Sequence, residues 1–181
     1  YQTMTNKKSI DLKGWFTNLL NRKMRLMVVS LVLSAYTLVA FHFPFFSYVA
    51  DNVSNDINGW WIVCSMALLM LALNYLIYYL LLYLGRVVGK SIIAISLVGN
   101  AVCLYFVNTY NVLIDRSMMG NVFNTRFSEA SGYFSLGAIL YFVVLGLIPA
   151  IYVIMRKVEW GTFKRFLANT GISIAAILLI A

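Results

Sequence analysis

The chain has 181 residues, 62% of them hydrophobic and 11% charged, with a formal net charge of +8 at pH 7. Soluble domains carry roughly 25% charged residues, and one water-soluble core cannot bury an apolar surplus of this size, so a soluble globular domain is excluded. The apolar residues also gather in runs near the ~20 residues that a bilayer-spanning helix needs, which makes lipid the solvent.

Residues 1–25 are polar and basic. Within them Ile10, Trp15, Phe16, Leu19 and Leu20 recur at roughly helical spacing, with Lys13, Asn18 and Arg22 on the other side. The pattern predicts a short helix lying in the membrane interface; a solvated tail is the plainer alternative. No small-residue cleavage site follows the first apolar run, unlike a signal peptide.

Five apolar stretches follow, at about 26–46, 60–84, 91–107, 133–155 and 166–181, none containing Asp, Glu, Lys or Arg. Lipid leaves backbone groups no partner outside the segment, so each is expected to be helical. Pro149 should kink or loosen the fourth. Asn74 and Asn100 are the main polar residues within the spans, read as interhelical hydrogen-bonding groups. Cys64 and Cys103 read as small buried hydrophobes rather than a disulfide. His42 has no partner in metal-ligand spacing, so no metal site is expected from this chain alone. The fifth stretch is still apolar at Ala181 and short of ~20 residues, and a further domain is expected after it.

Lys and Arg set orientation. Twelve of the 14 basic residues fall on one side if the spans alternate: Lys7, Lys8, Lys13, Arg22, Lys23, Arg25, Arg86, Lys90, Arg156, Lys157, Lys164 and Arg165. Arg116 and Arg126 fall on the other, with Asp51, Asp56, Asp115 and Glu129. The amino terminus is therefore expected in the cytoplasm and the end of the fifth span outside. The positive charge is accounted for as an orientation signal, which removes nucleic acid as a partner. The expected fold class is an all-α membrane protein of five transmembrane helices, with the interfacial helix at the amino terminus and an amphipathic extracytoplasmic helix between the third and fourth spans.

That last helix, at about 117–132, carries the most information. Asn121, Thr125 and Glu129 are four apart and stack in one arc, with Ser128 beside them, while Phe123, Phe127, Ala130 and Phe134 form the opposite stripe. An amide, a hydroxyl and a carboxylate in a row suit a zwitterionic lipid headgroup: the carboxylate pairs an ammonium and the others bond phosphate or ester oxygens. A solvated helix face on a surface loop is the other reading of the same spacing.

Asp115-x-x-Met118-x-x-Asn121-x-x-x-Thr125-x-x-x-Glu129-Ala130 resembles the periplasmic loop of lipid A phosphoethanolamine transferases, the family that includes the mobilised colistin-resistance enzymes. The resemblance covers the whole chain as architecture and about 115–130 as specific residues. It implies that the loop of 108–132 is periplasmic and that the chain sits in the inner membrane of a Gram-negative bacterium. It also implies that Asn121, Thr125 and Glu129 bind the phosphatidylethanolamine donor, whose headgroup passes to lipid A or another envelope acceptor. The roles of Asp115 and Met118 stay open. The catalytic domain, of the alkaline phosphatase and sulfatase type with zinc and a nucleophilic threonine, would follow residue 181; this chain would hold no catalytic residue and no cofactor, and alone would be inactive. Thr125 has no histidine or metal cluster around it and is not that nucleophile. Other classes consistent with the sequence are a related phosphoglycerol transferase, a small transporter or channel, and a non-enzymatic membrane anchor.

Overall fold

The computed structural model describes residues 23–54, 56–110 and 135–180. The segment expected to lie in the interface, up to residue 22, and the loop helix expected at 117–132 fall outside these residues. The described chain runs β1 (Met24–Arg25), α1 (Leu26–Phe41), α2 (Phe43–Asn52), α3 (Ile57–Leu84), α4 (Val88–Tyr110), α5 (Leu136–Met155), β2 (Val158–Glu159) and α6 (Phe163–Ile180). Among the described residues four helices are long and apolar enough to cross a membrane, or five if α1 and α2 together count as one span.

The first span differs from its expected 26–46. α1 stops at Phe41, and α2 leaves it at 61°. Its 16 residues cover about 24 Å, less than the ~30 Å hydrocarbon core. The cause is Pro44 in the first turn of α2: proline starts a helix readily, but inside a continuous helix it would lack the N–H for the Ala40 carbonyl four residues earlier and its ring would clash there. The ring of His42 bridges the break, donating from Nδ1 to the Thr37 carbonyl at 3.0 Å.

α1 packs on α3 through small hydroxylated side chains. Ser30, Ser34 and Thr37 are 0–3% exposed. Ser30 donates to the Leu26 carbonyl and Ser34 crosses to the Leu71 carbonyl, each at 2.9 Å. The Thr37 and Tyr78 hydroxyls pair at 2.7 Å. Such side chains let helices approach closely while satisfying their own polar groups in lipid. The apolar core beside them, including Leu26, Leu33, Tyr79, Leu82, Ile93 and Leu97, lies toward the end where the basic residues collect.

α3 begins at an Asp56 cap, whose carboxylate accepts from the Gly59 N–H at 2.9 Å and the Ser54 hydroxyl at 3.0 Å. The turn into α4 is so tight that a Cβ on Gly89 would lie 1.8 Å from the Leu81 carbonyl oxygen. α4 packs on α5 with comparable intimacy: a Cβ on Gly146 would sit 3.1 Å from both Ala101 Cβ and Val98 Cα.

Pro149 loosens α5 as expected, with the irregularity displaced toward the amino-terminal side. Residues Tyr141–Leu147 form a π-helical stretch, closed by Ile148 N–H on the Val143 carbonyl. Pro149 has no N–H to return to the carbonyl four residues earlier, Leu145. The Tyr36 hydroxyl of α1 donates to that carbonyl at 2.8 Å.

At the basic end β1 and β2 pair in parallel, Met24 opposite Val158 and Arg25 opposite Glu159, so a two-residue bridge joins the otherwise helical bundle. α6 starts at Phe163 rather than 166, taking Lys164 and Arg165 into its first turn. It rests on α3 by aromatic stacking, with ring centroids of Phe166 at 3.7 Å from Tyr83 and 5.6 Å from Tyr79. Asn169 then donates to the Tyr79 hydroxyl at 3.1 Å. No residue of α6 is buried. Cys64 and Cys103 are free thiols on exposed positions, not buried as expected: Cys64 is on the outside of the bundle and Cys103 opens onto a cavity between the helices.

Candidate functional site

Asn121, Thr125 and Glu129, with Asp115 and Met118, lie outside the described residues. The structure instead defines the platform between which they are strung. The Tyr105 hydroxyl on α4 pairs with Ser135 Oγ, the cap of α5, at 2.7 Å. Asn108 Nδ2 donates to the Tyr141 hydroxyl at 3.1 Å, and the Tyr105 and Tyr141 rings meet edge to face at 5.7 Å. Residues 110 and 135 thus leave the bundle side by side, at the end opposite the basic residues.

Next to this platform a cavity of 820 Å³ lies among α1, α2, α3 and α4. α3 lines it with Asn74, Ile77, Tyr78 and Leu81, and α4 with Ser96, Asn100, Cys103, Leu104 and Val107. Both sets have helical one-face spacing. The α1–α2 break adds Thr37, Phe41, His42, Phe45 and Tyr48. Leu104 and Val107 flank Tyr105 and Asn108, so the cavity and the platform share one end of α4.

Among the described residues the lining has no Asp, Glu, Lys or Arg. Its Thr37 and Tyr78 hydroxyls are satisfied by each other. Asn74 and Asn100, expected to bond between helices, do not: both face the cavity, and neither amide has a hydrogen-bond partner among the described residues. Spacing could have revealed this arrangement, since Asn74 falls on the face of Tyr78 and Asn100 on the face of Ser96.

Ionic chemistry sits at the two ends. Beside the far end the Gly59 N–H, then the Ser54 hydroxyl, hold the Asp56 carboxyl below the usual carboxylate range. At the basic end Lys90 Nζ donates to the Ile154 carbonyl at 3.2 Å and to that of Arg156, placing a cation on the carboxyl end of α5. Arg156 is only 4% exposed, with its guanidinium 5.6 Å from the centre of the Tyr152 ring. Sequence reasoning treated Lys90 and Arg156 only as orientation charges. Nothing in their spacing announces the clamp, which depends on α4 and α5 meeting. Among the described residues no three His, Cys, Asp or Glu converge as metal ligands.

Residues 59–181 match the sequence family described as phosphoethanolamine transferase EptA/EptB. A phosphoethanolamine transferase EptA of Helicobacter pylori is 34% identical over 119 residues, 65% of this chain and 22% of that protein. A phosphatidylethanolamine transferase Mcr-2 of Escherichia coli is 27% identical over 170 residues, 92% of this chain and 30% of that protein. The fold is shared with an integral membrane lipooligosaccharide phosphoethanolamine transferase A from Neisseria meningitidis, at a TM-score of 0.78 and 24% identity, covering 88% of this chain and 30% of that one. The chain thus spans less than a third of the length of each of these relatives.

Proposed function

The chain belongs to the phosphoethanolamine transferase EptA/EptB family, and from that premise we propose that it anchors such an enzyme and binds its lipid substrates. The reaction moves phosphoethanolamine from phosphatidylethanolamine to lipid A or another envelope acceptor. The observation that carries the reading is the family match across 59–181, which takes in the polar arc as well as four of the spans. Both substrates are lipids, so holding the catalytic groups at the membrane surface turns a bimolecular search into a local one.

In this reading the loop of 108–132 faces the periplasm and the basic end the cytoplasm of a Gram-negative inner membrane. Contacts at the basic end support it: β1 pairs β2, and Lys90 reaches Arg156, so cations from three connections collect at one end. Glu129 pairs the donor's ammonium, and Asn121 and Thr125 bond its phosphate or ester oxygens. The nucleophilic threonine and its zinc belong to a domain outside this chain, where the metal supplies charge stabilisation.

Lipid binding by the purified protein, measured by native mass spectrometry with phosphatidylethanolamine and phosphatidylglycerol, tests the loop. Preference for phosphatidylethanolamine, abolished by Glu129→Ala, is the expected result. Equal binding of both lipids, unmoved by the substitution, would overturn the assignment and favour a glycerol-headgroup donor or a plain anchor.

A further inference from the structure

We infer that the cavity among α1, α3 and α4 is a site for a neutral diacylglycerol, held at its ester carbonyls by the amides of Asn74 and Asn100. The fit rests on the cavity alone. Only the source of the ligand rests on the transferase reading: as the nucleophilic threonine's oxygen bonds phosphorus, the phosphorus–oxygen bond to glycerol breaks and the glycerol oxygen takes up the proton that the threonine loses, leaving diacylglycerol.

Three observations converge on that ligand. The first is depth. Asn74 and Asn100 stand well inside α3 and α4, each at least ten residues from the basic end of its helix, about 15 Å along the axis, halfway through a ~30 Å hydrocarbon core. A phospholipid keeps its esters near the interface because its charged headgroup stays wet, whereas a lipid that has lost the headgroup can sink to this level. The second is polarity. Among the described residues no Asp, Glu, Lys or Arg lines the cavity, so none of them compensates a phosphate or an ammonium, and burying an uncompensated charge is strongly unfavourable.

The third is hydrogen-bond complementarity. The two amides lack partners among the described residues, and an unpaired amide in lipid calls for one. Each offers an NH₂ donor pair and a carbonyl acceptor. Diacylglycerol presents two ester carbonyls, which only accept, and one hydroxyl, which can donate back. Ile77, Leu81, Leu104 and Val107 supply apolar wall for chain methylenes. The volume of 820 Å³ is that of a pocket for a drug-sized ligand, roughly 300–1,000 Å³, enough for the glycerol esters and the first part of a chain while the rest lies in the bilayer.

The test is photo-labelling of the purified protein in nanodiscs with a diacylglycerol carrying a diazirine in one chain. Labelling is expected on α3 and α4, competed by unlabelled diacylglycerol about tenfold better than by the ether-linked dialkylglycerol, which lacks both carbonyls. Asn74→Leu with Asn100→Leu should lower labelling by a similar factor, and Asn74→Gln with Asn100→Gln should retain part of it. Circular dichroism and elution volume confirm that the variants are folded. Equal competition by the ether analogue, or labelling unmoved in folded leucine variants, would overturn the inference and leave water as the partner of the amides. Competition by phosphatidylethanolamine as strong as by diacylglycerol would overturn it too. Because Glu129→Ala is read by headgroup and the asparagine variants by ester, either reading can fail while the other stands.

Discussion

Removing one oxygen from Tyr36 should cost more than its position on a half-buried face suggests, and the excess should depend on Pro149. The Tyr36 hydroxyl donates to the Leu145 carbonyl at 2.8 Å, the carbonyl to which Pro149 returns no N–H. Side-chain hydrogen bonds between membrane helices average about 0.6 kcal/mol and reach about 1.7. Because Pro149 offers that carbonyl no N–H, the bond is placed at the upper end, so Tyr36→Phe should destabilise the bundle by about 1.5 kcal/mol, a factor of about ten in the folding equilibrium. Pro149→Ala restores an N–H at that position. In its background Tyr36→Phe should cost only about 0.5 kcal/mol, leaving a coupling of about 1 kcal/mol between the two sites. The measurement is equilibrium unfolding of the four proteins in mixed micelles as the fraction of dodecyl sulfate rises. Equal losses in both backgrounds, within the roughly 0.3–0.5 kcal/mol expected of independent sites, would refute the link between the proline and the tyrosine.

Gly89→Ala should prevent the α3–α4 turn from closing, since its Cβ would lie 1.8 Å from a backbone oxygen that no rotamer can move; loss of the folded elution peak reports it. Lys90→Met should cost about 1 kcal/mol by stripping the cation from the end of α5, with Lys90→Arg recovering part, and unchanged unfolding would count against the clamp. Asp56 has a folded-state pKa below its usual range. Its contribution is therefore present above the ordinary carboxylate pKa of about 4 and lost as pH falls through the lower folded value. Thermal unfolding should show that acid-side loss in the wild type and a smaller one in Asp56→Asn, which keeps a capping oxygen without the charge.

Span positions were legible because lipid imposes a strict rule: α3 and α4 take in the expected 60–84 and 91–107, and α5 takes in 136–155 of the expected 133–155. α6 starts three residues ahead of its apolar stretch, because the long cationic side chains of Lys164 and Arg165 can sit in a first helical turn and still reach past the interface. The break at His42 was hidden by apolar residues on both sides of it; Pro44 was the visible signal, and hydropathy outweighed it. The roles of Asn74, Asn100, Lys90 and Arg156 depend on which helix faces which, information that a single span does not carry. The polar arc of Asn121, Thr125 and Glu129 rests on spacing and resemblance alone, since those residues lie outside the described ones.

The bridge between Met24–Arg25 and Val158–Glu159 bears on how the protein is made. A ribosome delivers this chain in order, and domains generally fold as units while synthesis proceeds. β1 must wait for its partner until four membrane helices have been threaded, paying the entropy of a long loop before the ring closes. Since β2 precedes α6, closure can be complete before the last helix enters the bilayer. α6, with nothing buried and its aromatic footing on α3, then joins a finished ring from the lipid side. Insertion intermediates in which Glu159 has just emerged from the ribosome should already resist extraction and protease, and those in which it is still inside the exit tunnel should not.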